Sequence, residues 1–156
     1  MFELDIPGFG HVHLEHLVSD FTGTLSVDGR LLPGVRERFN KIAGIIKVHV
    51  LTADTFGMAK SELNGINCDI HILTGDNHDV QKQHYVNDLG PDKVIALGNG
   101  NNDRLMLRAA RIGVAVCLAE GCAIDAIKSA DILVTSTTDA LDLLFNPKRL
   151  KATLRS

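Results

Sequence analysis

Asp20 stands where a carboxylate could do chemistry. The short, largely apolar run Leu17-Val18-Ser19 ends in Asp20, and Phe21-Thr22-Gly23-Thr24-Leu25 follows at once. A buried strand that delivers a carboxylate to the lip of a sheet before a sharp turn reads this way. Such a carboxylate can attack a phosphoryl group in line and form an acyl phosphate. Three further polar signals fit the same reaction: Thr52 at the end of an apolar run, Lys82 on a following helix, and Gly98-Asn99-Gly100-Asn101-Asn102-Asp103 after another apolar run. Thr52 can donate to a phosphoryl oxygen, Lys82 can neutralise its charge, and backbone amides after Asp20 can add donors. Magnesium prefers oxygen ligands and keeps waters. Asp20, the Thr22 carbonyl, Asn99 and Asp103 could supply such oxygens directly or through water.

Each signal alone has a plainer reading. Asp20-x-x-Gly23 could be an Asp-capped turn. Thr52 could be a helix N-cap, since Asp54 and Thr55 follow. Lys82 could be a solvated helix lysine, with Lys93 as its rival, and Gly98-Asn99-Gly100 could be any strand-to-helix turn. The last is no dinucleotide fingerprint, because Asp103 stands where its third glycine belongs. The order of all four is what carries the reading.

The elements that must position these residues alternate between strand and helix. Strands are expected over 2–6, 11–19, 46–52, 68–73, 93–97, 112–116 and 132–134. Helices are expected over 34–44, 56–64, 78–89, 102–110, 122–129, 137–145 and 147–154, with Lys82 on a mostly polar surface and Leu105, Met106 and Ala109 inward. Asp28-Gly29 makes a hairpin of residues 25–32. This pattern predicts one domain over 1–156, a doubly wound α/β fold with a mostly parallel sheet, whose ligands sit beyond the carboxyl ends of the strands.

The four signals together resemble the motifs of the haloacid dehalogenase (HAD) superfamily of phosphohydrolases. Asp20-Phe21-Thr22-Gly23-Thr24-Leu25 is similar to the Asp-Lys-Thr-Gly-Thr-Leu signature of P-type ATPases, and Gly98 to Asp103 resembles their Gly-Asp-Gly-x-Asn-Asp. The runs 109–116 and 130–134 look like the end of an ATPase phosphorylation domain, and small soluble P-type-ATPase-like proteins are the nearest likeness. The resemblance spans about residues 17–145. It implies a HAD-like Rossmannoid fold, Asp20 as nucleophile, Thr52, Lys82 and Asn102 on the phosphoryl group, and a Mg²⁺ cofactor held by Asp20, Thr22, Asn99 and Asp103.

Two departures shape the expected activity. Phosphatases of the superfamily have an aspartate two residues after the nucleophile as general acid and base, and here that residue is Thr22, as in the ATPases. General acid–base catalysis is worth roughly 10²–10⁴-fold, so a slow phosphohydrolase or phosphotransferase with a persistent aspartyl phosphate is expected. The alternative is a regulatory protein that binds a phosphoryl group without turning it over. Asn99 replaces the usual Asp, which removes a charge and weakens metal affinity. Only the 26–32 hairpin and residues 53–81 are available to cover the site, so no large cap is expected. The site is open to a large phosphorylated substrate or is covered by a second subunit of a homo-oligomer. Without a nucleotide-binding module, ATP specificity does not carry over. A response-regulator receiver is excluded by motif order.

Bulk properties set the remaining bounds. A net charge of −3 argues against a nucleic-acid surface. No apolar run is long enough for membrane insertion, and the acidic start, Met1-Phe2-Glu3-Leu4-Asp5, lacks the features of a signal peptide. Cys68, Cys117 and Cys122 have no zinc-like spacing and read as reduced packing residues of a cytoplasmic protein. His11 and His13 would share one exposed strand face.

Overall fold

The computed structural model describes residues 1–54 and 57–156. β1 (Phe2–Ile6) and β2 (Gly10–Leu14) form an antiparallel ribbon with Leu4 opposite Val12. β3 (His16–Asp20) then enters the main sheet. The single strand expected over 11–19 is therefore two strands, broken at Glu15. Val12 and Leu14 are buried on β2, but Leu17 rather than His16 continues the buried set. The alternation changes phase at Glu15, whose amide donates to the Lys93 carbonyl and whose carbonyl accepts from Lys47. Pairing with the main sheet starts there.

After β3 comes a small hairpin, β4 (Ser26–Val27) and β5 (Arg30–Leu31), turned at Asp28 and Gly29, both with positive φ. α1 (Val35–Ile42) buries Val35, Phe39 and Ile42 on one face. β6 (Lys47–Thr52), α2 (Met58–Glu62), β7 (Asp69–Ile72) and α3 (His78–Leu89) follow. The helix expected over 56–64 is shorter, and its first expected residue, Phe56, lies outside the described residues. β8 (Val94–Gly98) leads through a short 3₁₀ turn, Asn101–Asp103, into α4 (Arg104–Ala109). Met106 is buried as expected, but that turn shifts the helix phase by one residue, so Leu107 and Ala110 are buried with it while Leu105 and Ala109 are only partly so. β9 (Ile112–Val116), α5 (Ile124–Ser129), β10 (Ile132–Val134), α6 (Thr137–Asp142) and α7 (Pro147–Leu154) complete the chain.

The main sheet has the order β10-β9-β8-β3-β6-β7, with every pairing parallel. β3 lies at its centre, flanked by β6 and β8, where the winding direction reverses. Its side chains alternate between two cores. Leu17 packs with Phe39, Val50, Leu141 and the β1–β2 ribbon, whereas Val18 packs with Val86, Met106, Leu107 and Ala126. Helices thus cover both faces, and the expected doubly wound α/β fold without a large cap is found.

Three further observations bear on the sequence reading. Cys117 and Cys122 form a disulfide, so the expectation of reduced cysteines fails for this pair. The loop after β9 turns back at Gly121, with φ of +82°, and brings the two Cα atoms to 5.0 Å. Cys68 is free and half-buried. His11 bonds Asp5 at 2.7 Å, and His13 bonds Glu3 at 2.9 Å and Glu15 at 3.1 Å on the β1–β2 ribbon. Those bonds, to Glu3 first, hold the His13 imidazole above its ordinary pKa. Among the described residues, no helix is long and apolar enough to cross a membrane.

Candidate active site

The carboxyl ends of β3, β6 and β8 meet around one cavity of about 440 Å³, lined by Asp20, Thr22, Thr52, Lys82, Asn99 and Asn102 among others. Strand order explains the convergence. β3 carries Asp20, its neighbour β6 ends in Thr52, and its other neighbour β8 ends at Gly98, immediately before Asn99. Lys82 arrives from α3, which starts beyond the carboxyl end of β7 and runs back along the sheet.

Lys82 is not on a polar surface as expected. It is 1% exposed, and its ammonium lies 2.9 Å from Asp20 Oδ1, 2.7 Å from Asp103 Oδ1 and 3.4 Å from Asn102 Oδ1. The rival Lys93 is bonded to Glu15 at 3.2 Å, half-exposed. Thr52 does not cap α2. Its hydroxyl accepts from the Asp54 amide at 3.2 Å, while the Asp54 carboxylate takes the amides of Ala59 and Lys60. A hydroxyl that accepts there can still donate its own proton, and Thr52 lines the cavity.

Asp103 differs from the expectation that it holds the metal. It is fully buried and is not among the cavity-lining residues. Its Oδ1 takes Lys82, and its Oδ2 takes the amides of Asn99 at 3.0 Å and Gly100 at 2.9 Å. Asp103 therefore holds the loop that presents Asn99. Gly98 allows this, since a Cβ there would lie 2.6 Å from Asp103 Cβ.

Thr24, given no separate role in the sequence reading, joins the two strand ends. Its buried hydroxyl lies 3.2 Å from both Asp20 Oδ2 and Asn99 Oδ1, and its carbonyl accepts from Thr137 at the start of α6. Gly23 makes the approach possible. Its φ is +77°, and a Cβ would meet Asn99 Nδ2 at 2.5 Å. The Asp20 carboxylate and Asn99 amide oxygens thus converge on one hydroxyl, with Thr22 lining the same cavity, and oxygen donors are the kind that suit a hard divalent cation. Among the described residues no cluster of three or more His, Cys, Asp or Glu is placed to hold a metal. The amides of Gly23, Thr24, Leu25 and Ser26 are spent inside the turn. These four amides are therefore not available as donors to a ligand.

The buried charges are two carboxylates against one ammonium. Burial first, and the Asp103 carboxylate second, push Asp20 up to about 7 against the pull of Lys82. Burial alone would lower Lys82, but the two carboxylates outweigh it and raise the ammonium above its ordinary range. A dication beside Asp20 would supply the missing positive charge and ionise the carboxyl.

The uncharacterized protein MJ0073 of Methanocaldococcus jannaschii is 54% identical over 63 residues, which are 40% of this chain and 68% of that protein. No protein-family profile matches the chain. Solved structures share the fold at low identity. The 3-deoxy-D-manno-octulosonate 8-phosphate phosphatase of Moraxella catarrhalis, in complex with magnesium, phosphate and KDO, has a TM-score of 0.67 at 18% identity over 92% of this chain and 94% of its own. The catalytic domain of the CPx-ATPase CopB-B has a TM-score of 0.59 at 23% identity over 74% of this chain and 46% of its own. A HAD family hydrolase fold from Streptomyces avermitilis matches at 0.68 and 15% identity over 84% of each chain.

Proposed function

The chain belongs to one family with MJ0073 and has the HAD fold, and from that premise we propose that it is a magnesium-dependent phosphohydrolase or phosphotransferase working through an aspartyl phosphate on Asp20. One observation carries the reading. A buried carboxylate at the carboxyl end of the central strand faces a cavity, with a lysine ammonium 2.9 Å away and a threonine hydroxyl on the adjacent strand end.

Asp20 attacks phosphorus, the bond from phosphorus to the leaving oxygen breaks, and the acyl phosphate forms. Water then attacks phosphorus, the bond to Asp20 breaks, and the carboxylate returns with inorganic phosphate. Thr52 and Lys82 hold the phosphoryl oxygens through both steps, and Asn102 adds a side-chain contact. Asp103 orients Lys82 and the Asn99 loop. Asp20, the Thr22 carbonyl and Asn99 would hold magnesium, which would supply positive charge against the phosphoryl oxygens.

The substrate is a phosphorylated small molecule or macromolecule reaching an open site. Hydrolysis of 4-nitrophenyl phosphate, with and without magnesium, tests the reading in wild type and Asp20→Asn. Magnesium-dependent turnover lost in the variant is expected, and equal rates would end it. Thr22 also favours a second reading, a regulatory phosphoprotein. Stable, hydroxylamine-labile phosphate on Asp20 without turnover would support that one.

A further inference from the structure

Thr22 leaves the reaction without a side chain that moves protons near neutrality. Among the described residues, five titratable side chains line the cavity: Asp20, Asp54, His78, Lys82 and Glu120. Four have other work. Asp20 and Lys82 bond each other, Asp54 caps the amides of Ala59 and Lys60, and Glu120 accepts the Asp28 amide of the hairpin at 3.2 Å. The His78 ring makes no side-chain hydrogen bond among the described residues, and an imidazole is the side chain suited to giving and taking protons at neutral pH.

The placement of His78 fits the outer side of the phosphoryl group. His78 is the first residue of α3, and Lys82 lies four residues on, on the same helical face. α3 runs inward from the cavity mouth. His78 therefore sits about 6 Å farther out along the axis than Lys82, at 1.5 Å per residue. Lys82 contacts the nucleophile, and in-line displacement puts the leaving oxygen on the side of phosphorus opposite Asp20, toward the mouth. His78 is also braced. Gln81 donates to the carbonyls of Thr74 and Asp76 in the loop before α3. Asp79 accepts from Arg104, which also donates to the Asn101 carbonyl.

We propose that His78 is the general acid and base of this site, in the role that Thr22 cannot fill. The proposal rests on the phosphotransfer reading above. In the first step the bond from Asp20 to phosphorus forms, the bond to the leaving oxygen breaks, and the imidazolium proton passes to that oxygen, releasing an alcohol. In the second step water attacks the aspartyl phosphate, its proton passes to the now neutral imidazole, and Asp20 leaves as a carboxylate. Atoms and charge balance with no further reactant.

Leaving-group dependence tests the role. 4-Nitrophenolate departs readily without a proton, whereas benzyl alkoxide does not. His78→Gln should lower kcat/KM on benzyl phosphate about 100-fold more than on 4-nitrophenyl phosphate, the lower end of the usual general-acid contribution. Added imidazole should restore benzyl phosphate turnover to His78→Ala, which a purely structural histidine would not allow. Equal loss on both substrates, no loss on either, or no rescue would overturn the proposal. Wild type inactive on 4-nitrophenyl phosphate would instead overturn the phosphotransfer reading, and this role with it. Wild type active there but with a His78→Gln variant of unchanged leaving-group preference would overturn only the role of His78.

Discussion

Replacing the nucleophile should make the metal-free protein more stable, and increasingly so as pH rises. In the fold, Asp20 is pushed from an ordinary 3.8 up to about 7 by burial and by Asp103. Between those values the native state binds more of this proton than the unfolded chain does, so wild-type stability falls as pH rises through the window. Asp20→Asn lacks that titration and keeps a neutral, near-isosteric partner for Lys82, which remains paired with Asp103 at 2.7 Å. A difference of about three pH units at about 1.4 kcal/mol each bounds the effect near 4 kcal/mol, and a gain on the order of 2–4 kcal/mol is expected. Urea unfolding of both proteins in EDTA, from about pH 4 to about pH 8, measures it. The stability difference should be smallest near pH 4, grow through pH 7 and level off above. A difference independent of pH, or one that shrinks as pH rises, would refute the electrostatic account of the site.

Lys82→Met should cost about 3–5 kcal/mol at pH 8, because it strands two buried carboxylates. Adding Asp103→Asn should recover part of that loss in the same urea assay. His49 is depressed to about 4 by burial, with His16 beside it. Its contribution is therefore present above pH 6.5 and lost as pH falls through 4, at most about 3 kcal/mol, and His49→Gln should flatten that part of the stability curve. Reducing the Cys117–Cys122 disulfide with a dithiol should loosen the loop whose Gly121 carbonyl and Ala123 amide hold Asn99 at 3.0 and 2.8 Å. The magnesium concentration for half-maximal activity should rise, in Cys117→Ser as well, with a stability loss of about 2 kcal/mol for so short a loop.

Residues at strand ends were the legible part of the site. Asp20, Thr52 and Asn99 each follow an apolar run, and parallel strand order then brings them together without further information. The failures share a cause in long-range packing. The polar pattern of α3 gives no sign that Lys82 is buried, because its partners lie on β3 and on the loop after β8. Asp103 reads as a ligand until its two oxygens are seen bonded to Lys82 and to the loop amides. The 3₁₀ turn before α4 moves the buried face by a residue, which no helical periodicity contains. The phase change at Glu15 was present in the buried pattern of β2 and β3, but an apolar run on both sides hides it. The disulfide depends on a turn at Gly121 that five residues of separation do not announce.

Phosphoryl capture on Asp20 tests the central claim most directly. The protein is incubated with magnesium and 4-nitrophenyl phosphate, quenched in acid and digested, and the peptide containing Asp20 is weighed by mass spectrometry. One added phosphoryl group on Asp20, removed by hydroxylamine and absent from Asp20→Asn and from samples with EDTA, is the predicted result. Turnover without any label on Asp20, or equal labelling of the Asp20→Asn protein, would contradict it.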